Sequence, residues 1–275
     1  MPDSSNFYNL TYGHFAHPVL AEIRQETFGE DIGQNSWVTA DEYREFIGWL
    51  NLTPASHVLD IASGSGGPAL FLAGMVGCQV TGLDINPSST AAANAWAQSL
   101  GLGTRVHFHH GNASQALPFE DHSFTAVVCI DSINHLPGRG LVLKDWHRVL
   151  RPGGRLLFTN PIIVTGMLSN EEIAIRSSIG YFLFTPPGED ERLIQEAGFE
   201  VVLHQDVTEN NAVVSKRWYD ARARRRDELL KIEGEAEFEK TQRFLAVVHT
   251  LASERRLSRF AFVAQKEWKA DLRAR

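Results

Sequence analysis

The sequence predicts an α/β fold, doubly wound around a mostly parallel sheet. From residue 58 onward, short apolar runs alternate with segments of helical period, the order that builds parallel strands joined by helices. The first of these runs passes directly into a Gly/Ser-rich turn, Val58–Pro68. Near the end of the chain, a strand-like stretch over 258–266 stands apart from the alternation. We therefore expect one large α/β unit with additional segments attached to it.

Length and composition limit the classes of protein to consider. The 275 residues, 43% of them hydrophobic, suffice for a large folded core and exclude a disordered chain. No apolar run approaches the roughly 18–20 residues that span a bilayer, and the first residues lack the order of a secretory signal. The two cysteines have no metal-ligand spacing, and the net charge of −7 argues against a general nucleic-acid binder. We expect a cytoplasmic protein with no metal, membrane or nucleic-acid partner, whose oligomeric state the sequence does not reveal.

The first 50 residues precede the first strand, and we interpret them as a helical lid. Thr39 followed three residues later by Glu42 is a capping-box pattern, which predicts a helix to about Leu50. Residues 28–36 have no period and contain two glycines, so they predict a loop. Two interpretations stay open: the loop folds over a bound ligand, or the segment is a helix pair that packs against the sheet edge.

The turn after the first strand is a candidate cradle for a nucleotide or cofactor. Its glycines let the backbone approach a ligand, and the start of the next helix carries unpaired N–H groups. Asp84 ends the second predicted strand, over 78–84, and lies twenty positions beyond Gly64. At that spacing a carboxylate reaches a ribose diol. The pattern of Gly64, Gly66 and Ala69 also fits a dinucleotide fingerprint, so the turn alone leaves the ligand undecided.

The remaining elements continue the alternation and then break it twice. Asn86 begins a helix that Gly101 ends. The later strands are predicted over 106–110, 124–130, 155–159, 199–207 and 258–266. The segments 162–187 and 209–256 do not fit the alternation, and the second predicts two helices hinged near Gly234. Inserted after the fifth and sixth strands, both lie near the ligand edge and are candidate substrate caps.

Ordered motifs along the chain resemble those of the class I S-adenosylmethionine-dependent methyltransferases. They are Val58–Gly66, Gly82–Ile85, Gly111–Ala113 and Leu150–Leu156. Ala62 stands where this family usually has a first glycine, a departure that adds one methyl group. The layout resembles the small-molecule enzymes of the family, with partial similarity to phosphoethanolamine and related amine N-methyltransferases.

The resemblance, which covers roughly residues 59–265, implies a seven-stranded sheet with an antiparallel last strand. It also divides the chain into a helical lid, a Rossmann-like core and substrate-cap insertions. The lid is 1–50, the core is 51–161 with 188–208 and 257–267, and the caps are 162–187 and 209–256.

The resemblance further implies S-adenosyl-L-methionine as the cofactor and a set of residues that bind it. Asp84 would accept the ribose hydroxyls and Ile85 would pack on the adenine, although Asp84 is alternatively a helix N-cap. Asp60 would anchor the turn or the cofactor ammonium group. The turn residues that back the methionine part are Ala62, Ser63, Gly64 and Gly66. The other implied contacts are Gln34 and Ser36 at the cofactor carboxylate, Asn112 and Ala113 at the adenine, and Ile130.

His135 is the candidate general base for methyl transfer. It follows the fourth strand, whose carboxyl end lies at the ligand edge, and His is the usual base near neutral pH. Asp131, four residues earlier, is expected to orient the imidazole or to hold a cationic substrate. The alternative is that His135 caps the next helix or hydrogen-bonds the backbone. The related amine N-methyltransferases use a tyrosine in the N-terminal segment, for which Tyr12 is the candidate and Tyr8 lies near.

Three functions stay open at this point. The leading one is an enzyme that methylates an O, N or C nucleophile of a small metabolite, aromatic or amine. An aromatic or apolar acceptor is favoured by the cap residues Phe182, Phe184, Trp218, Tyr219 and Phe244. An NAD(P)-dependent oxidoreductase is favoured only by the glycine spacing, and the third possibility is a non-catalytic cofactor-binding protein.

The basic run 222–226 is interpreted as a solvated helix face, offset by neighbouring acids.

Overall fold

The computed structural model describes residues 15 and 17–268. Its centre is a seven-stranded sheet in the order β3-β2-β1-β4-β5-β7-β6, in which β7 runs antiparallel to both neighbours. The strands are β1 His57–Ile61, β2 Gln79–Asp84, β3 Val106–His110, β4 Phe124–Cys129, β5 Leu150–Val164, β6 Phe199–Asp206 and β7 Leu257–Lys266. This topology confirms the predicted doubly wound sheet and its antiparallel last strand.

Helices cover both faces of the sheet because alternate strand residues point to opposite sides. Val58 and Val128 join one buried cluster, whereas their chain neighbours Leu59 and Val127 join the other. The helices are α1 Pro18–Phe28, α2 Ala40–Trp49, α3 Gly67–Val76, α4 Pro87–Ser99, α5 Arg139–Val149, α6 Asn170–Arg176, α7 Glu189–Glu196, α8 Thr208–Arg224 and α9 Arg226–Ser253. None of the helices within these described residues is long and apolar enough to cross a membrane.

Strand β5 is longer than the sequence predicts. The prediction followed the apolar run 155–159, but the strand extends to Val164. Its far end pairs with β7 through Ile163 and Ser258, and Ile163 also forms a parallel bridge to Thr185 of the insert. These partners come from distant parts of the chain, so the local pattern does not reveal them.

The helical segment after β6 also differs from the prediction. A hinge is present at Gly234, where φ is 78° and ψ is 165°. A first break comes earlier, at Arg225, which separates α8 from α9. These helices pack against α1 through the apolar cluster Val19, Ile23, Ala221, Leu229 and Phe238. Helix α1 and the second insert therefore pack together as one layer.

A buried ion network fixes α2 to the sheet. Arg259 of β7, fully buried, donates from Nη1 to both carboxylate oxygens of Glu42 at 2.8 and 2.7 Å. Burial raises the pKa of Glu42, and Arg259 opposes that shift. Thr39 Oγ1 accepts a hydrogen bond from the Glu42 N–H at 3.3 Å, as an N-cap does. Because the Glu42 carboxylate is bound to Arg259, the expected capping box is only half formed.

A second buried polar cluster holds the insert after β5 against the sheet. Arg139 of α5 donates from Nη1 to Asp190 at 2.5 Å and to Thr185 at 2.9 Å. Asn160 of β5 donates to the other carboxylate oxygen of Asp190 at 2.6 Å. Burial raises the pKa of Asp190, and Arg139 and Asn160 oppose this rise. Thr185 therefore ties the insert to α5, and Asp190 ties α7 to both α5 and β5.

Candidate active site

A cavity of about 280 Å³ opens at the carboxyl ends of β1, β4 and β5. This is the edge where ligands bind in doubly wound folds. The loop before α2, the turn after β1 and the stretch after β4 all line it, and both inserts contribute walls. The apolar wall residues include Phe15, Leu20, Ile23, Ile130, Ile179, Phe182, Trp218, Phe244 and Leu245. Of the predicted cap aromatics, Phe184 and Tyr219 belong to the same apolar clusters but do not line the cavity.

The structure places the predicted site residues in two groups. Those lining the cavity are Ser36, Asp60, Ala62, Ser63, Gly64, Ile130, Asp131 and His135. Those outside the cavity lining are Gln34, Gly66, Asp84, Ile85, Asn112 and Ala113. Tyr12 and Tyr8 lie outside the described residues.

The turn after β1 adopts a left-handed backbone at several positions. Gly64 and Gly66 have φ of 54° and 81°, which glycine adopts freely. Ala62 has φ of 55°, in the position where the resembling family has glycine. A left-handed residue with a side chain costs roughly 1–2 kcal/mol. Asp131, which follows β4, has φ of 53°. A left-handed residue with a side chain therefore follows two of the strands that border the cavity, β1 and β4.

The loop before α2 packs directly on this turn. Ser65 Oγ donates a hydrogen bond to the Gly33 carbonyl at 2.5 Å. A Cβ on Gly67 would lie 2.1 Å from the Ile32 carbonyl oxygen. We attributed the glycines of the turn to a close approach by the ligand. At Gly67 the close approach is made by the protein's own loop.

Gln34 is part of the framework of that loop. Its Oε1 accepts a hydrogen bond from the Ile32 N–H at 2.9 Å, and its Nε2 donates to the Glu30 carbonyl at 3.1 Å. The side chain is fully buried. Both ends of its amide are bonded within the loop and Gln34 does not line the cavity, so its contact with the cofactor carboxylate stays a prediction. Ser36 and its neighbour Asn35, which sequence reasoning missed, line the cavity instead.

Asp60 is a buried acid at the base of the cavity. Burial raises its pKa to about 8, and the nearby carboxylate of Asp84 adds to the rise. A cation that binds beside this group favours its ionised form. The cavity therefore offers a complementary position for a positively charged group such as an ammonium.

Asp84 organises the end of β2. Its Oδ2 accepts a hydrogen bond from the Gly64 N–H and its Oδ1 accepts one from the Asn86 N–H, both at 2.8 Å. Burial raises the pKa of Asp84, and these two N–H groups oppose that shift. The N-cap of α4 is Asn86, whose side chain accepts from Ser88 and Ser89, so the N-cap alternative for Asp84 is wrong. The carboxylate has capacity for further donors, since its two oxygens offer about four lone-pair sites.

Ile85 and the turn after β3 lie beside Asp84 at the neighbouring strand ends. Ile85 is 64% exposed, which is unusual for an isoleucine that follows a buried strand. The Gly111 N–H donates to the Asp84 carbonyl at 2.8 Å, and Asn112 is exposed beside it. The Asn112 Oδ1 accepts from the Ser114 N–H at 2.9 Å.

These residues fit S-adenosylmethionine in their chemistry. Asp60 suits an ammonium group, Asp84 suits a diol and the exposed Ile85 suits an adenine face. Within the described part of the chain, the buried Ser63 Oγ has no hydrogen-bond partner, so the turn also offers an unused hydroxyl. The donor set of this chain is therefore compatible with the cofactor that the sequence motifs imply.

The carboxylate of Asp131 does not orient the His135 imidazole. Its Oδ1 accepts hydrogen bonds from Thr159 Oγ1 and Arg259 Nε, both at 2.7 Å. Its Oδ2 accepts from the Trp37 N–H at 2.9 Å. The expected orienting role is therefore wrong. Asp131 instead binds the loop before α2 to the sheet, and a cationic substrate would compete with Arg259 for it.

His135 lies in a 3-10 turn, Ile133–His135, after β4. Its Nδ1 is 2.7 Å from the Tyr181 carbonyl oxygen. A carbonyl only accepts, so Nδ1 carries the proton and Nε2 carries the lone pair. Burial lowers the pKa of His135 to about 4; the Tyr181 carbonyl opposes this shift and Arg176 contributes to it. The backbone hydrogen bond named as the alternative is present, and it leaves a neutral imidazole with Nε2 as an acceptor.

Arg176, which sequence reasoning missed, ends α6 and is only 2% exposed. Its guanidinium carbon lies 4.8 Å from the ring centroid of Phe182, 5.0 Å from that of Phe244 and 6.0 Å from that of Trp37. Cation–π attraction stabilises such an arrangement. No local signal distinguishes Arg176 from a surface arginine, because its three rings come from separate segments.

The basic run 222–226 is only partly the solvated face that we expected. Arg224 and Arg225 form ion pairs with Glu26 of α1. Arg222 is buried, lines the cavity and pairs with Glu233. The run therefore joins the helices of the outer layer and closes the far end of the cavity.

Comparisons with known proteins agree with this geometry. A family model described as a methyltransferase domain matches residues 59–158. The 27-O-demethylrifamycin SV methyltransferase of Amycolatopsis mediterranei is 29% identical over 205 residues, 70% of this chain and 75% of that protein. The O-methyltransferase resE of Aspergillus sclerotiorum is 30% identical over 225 residues, 80% of this chain and 79% of that protein.

A solved structure shows the same fold. It is phosphoethanolamine N-methyltransferase 2 of Haemonchus contortus, in complex with phosphomonomethylethanolamine and S-adenosylhomocysteine. The TM-score is 0.79 at 19% identity, and the match covers 95% of this chain and 60% of that chain.

Proposed function

Because the chain belongs to the class I S-adenosylmethionine-dependent methyltransferases, we propose that it methylates a hydroxyl oxygen of an apolar small molecule. Methyl transfer from S-adenosylmethionine to small molecules is the activity of this family, and neither the oxidoreductase nor the non-catalytic alternative is favoured. The proposal concerns the acceptor atom and the residues that act on it.

The state of His135 carries the proposal. Its Nδ1 proton faces the Tyr181 carbonyl, so the basic lone pair of the imidazole is on Nε2. A hydroxyl nucleophile gains from such a base because it loses its proton as it reacts, whereas a neutral amine attacks without one. The cavity-lining carboxylates of Asp131 and Glu233 bind arginines, which disfavours a cationic amine acceptor. The resE relative is named an O-methyltransferase, which supports the same atom.

The residues proposed to hold the cofactor surround the turn after β1. We assign Asp60 to its ammonium group, Asp84 to its ribose and Ile85 to its adenine. The further proposed contacts are Ser36, Ala62, Ser63, Gly64, Gly66, Asn112, Ala113 and Ile130. When bound, S-adenosylmethionine supplies a methyl group that its sulfonium already activates.

The protein's part in the reaction is then alignment, exclusion of water and removal of one proton. The apolar walls hold the acceptor with its oxygen beside His135. The acceptor O–H proton passes to His135 Nε2 as the oxygen gains the methyl group, and the proton later leaves to solvent. Positioning two reactants in this way supplies several kcal/mol of a reaction barrier.

A matched pair of acceptor molecules tests which atom receives the methyl group. The enzyme would be supplied with methyl-labelled S-adenosylmethionine and either 2-naphthol or 2-naphthylamine, alongside extracts rich in apolar hydroxyl compounds. We expect label in methyl ethers, located by NMR spectroscopy of the products. Label only on nitrogen or carbon, or on no hydroxyl compound, would contradict the proposal.

A further inference from the structure

The carboxamide of Asn134 is buried in the cavity wall next to His135. Asn134 is fully buried, and neither its Oδ1 nor its Nδ2 has a partner in the described part of the chain. Its own carbonyl is fixed by the Leu183 N–H at 2.9 Å. A buried polar group left unpaired costs roughly 1–3 kcal/mol, and buried polar groups in native proteins are almost always paired. A bound molecule is the natural source of the missing partners.

Arg176 brings a buried positive charge to the same wall. Phe182 touches both groups: its ring centroid is 4.5 Å from that of His135 and 4.8 Å from the Arg176 guanidinium carbon. The charge of Arg176 contributes to the lowered pKa of His135. Three aromatic faces stabilise the cation, and its N–H groups are strong donors toward anionic oxygen.

Among the described residues, the acidic groups that line the cavity either bind a cation or, at Asp60, have a raised pKa. Asp131 binds Arg259, Glu233 binds Arg222, and Glu237 lies 3.4 Å from Lys240. Asp60 has a pKa raised to about 8, so it is largely protonated at neutral pH. Arg24, another cation among the described lining residues, binds Asp31 at 3.0 Å. The positive charge of Arg176 close to His135 favours a ligand oxygen that carries negative charge.

We propose that Asn134 and Arg176 form a recognition site for a hydroxyl acceptor of one class, phenols or enols conjugated to a carbonyl group. This inference rests on the proposed function and names its substrate class. Arg176 stabilises the charge on the acidic oxygen, and the Asn134 amide donates to the carbonyl. The flat conjugated body packs against Phe182 and the other aromatic walls. An analogue without the carbonyl leaves Asn134 unpaired and binds more weakly.

The ionisation of a bound probe tests Arg176 without turnover. The probe is 7-hydroxycoumarin, whose absorption distinguishes phenol from phenolate, bound in the presence of S-adenosylhomocysteine. We expect its ionisation constant to rise at least about tenfold on binding to the wild-type enzyme. Arg176→Met should abolish the rise and Arg176→Lys should retain part of it. Arg192→Met is the control, since Arg192 is exposed in α7 and pairs with Glu189 away from the cavity.

The preference for a carbonyl tests Asn134. Dissociation constants of 7-hydroxycoumarin and 2-naphthol would be compared for the wild type and Asn134→Leu. We expect the wild type to prefer the coumarin about tenfold, and the variant to lose that preference while it still binds 2-naphthol.

Several results would overturn the inference. One is a bound probe that is no more ionised than the free one, and another is a rise that persists in Arg176→Met. Equal wild-type affinity for the two probes, or no saturable binding of 7-hydroxycoumarin, would also overturn it. The wild-type measurements suffice if a variant does not fold. Failure of the proposed function would instead appear as methyl transfer to nitrogen or carbon, or as full activity of a variant without His135. Both are turnover measurements, so they are independent of these binding experiments.

Discussion

The Nε of Arg259 lies 2.7 Å from Oδ1 of Asp131, and this buried pair joins β7 to the carboxyl end of β4. Burial opposes the charge of Arg259, but the carboxylates of Asp131 and Glu42 hold its pKa above the usual range. An aspartate that looks catalytic from its position after β4 is thus part of a clamp. The clamp holds α2 and the preceding loop over the site.

Removal of Arg259 should destabilise the protein strongly. Arg259→Met leaves two buried carboxylates without their cation, which costs about 3–5 kcal/mol of unfolding free energy. The matched control is Arg255→Met, because Arg255 is 60% exposed and its pair with Asp206 lies on the surface. Denaturant unfolding should show a change under about 1 kcal/mol for the control. Equal, small losses in both variants would show that the clamp contributes little.

Replacement of His135 should affect turnover rather than cofactor affinity. His135→Gln keeps a polar side chain but removes the base, so we expect kcat to fall about 10²–10⁴-fold. The dissociation constant for S-adenosylhomocysteine, measured by calorimetry, should change less than about threefold. A wild-type kcat in the variant would show that His135 is not the general base and has a structural role.

The same substitution should change the pH dependence of stability. The pKa of His135 is about 4 in the folded protein and 6.5 for an ordinary histidine, so the unfolded chain binds more protons between these values. His135 therefore lowers the unfolding free energy as the pH falls from about 6.5 to about 4. Wild-type protein should lose about 2–3 kcal/mol more than His135→Gln over this window. Parallel stability curves for the two proteins would show that the imidazole titrates normally.

Cofactor binding should release a proton through Asp60. With a pKa of about 8, Asp60 is mostly protonated at pH 7, and an ammonium group beside it favours the ionised form. Affinity for S-adenosylhomocysteine should therefore rise as the pH increases from 6.5 to 8. Calorimetry in buffers of different ionisation enthalpy should show release of about one proton at pH 7. The Asp60→Asn variant should release almost no proton when S-adenosylhomocysteine binds. If both proteins release the same number of protons, Asp60 does not bind the ammonium group.

Two glycines of α3 provide a matched pair for the loop contact. A Cβ on Gly67 would press on the Ile32 carbonyl at 2.1 Å, whereas a Cβ on Gly74 meets nothing within 4 Å. Gly67→Ala should cost about 1–3 kcal/mol and weaken cofactor binding by displacing the loop. Gly74→Ala should stabilise by about 0.5–1 kcal/mol, because alanine is the better helix former. Similar thermal stability of the two variants would mean that the loop contact is easily displaced.

Much of the fold could be predicted because its signals are local. Apolar runs mark β1 and β4, and Asn86 caps α4 where the Asn-Pro pair predicts a helix start. The ends of β5 and the break at Arg225 could not be predicted, because strand pairing and helix packing with distant segments set them.

The sequence by itself determined the doubly wound sheet, the glycine-rich turn, and an acid and a histidine at known strand ends. These follow from period, from turn chemistry and from the rule that parallel strands share one carboxyl edge. Only the tertiary structure decided what those groups do. Asp131 became part of a clamp because Arg259 lies 128 residues away in sequence yet 2.7 Å away in space. Asn134 and Arg176 became candidate binding groups because folding buries them among walls from separate segments. Burial and long-range partners set the charge and hydrogen-bonding state of a side chain, and neither is visible in the residues beside it.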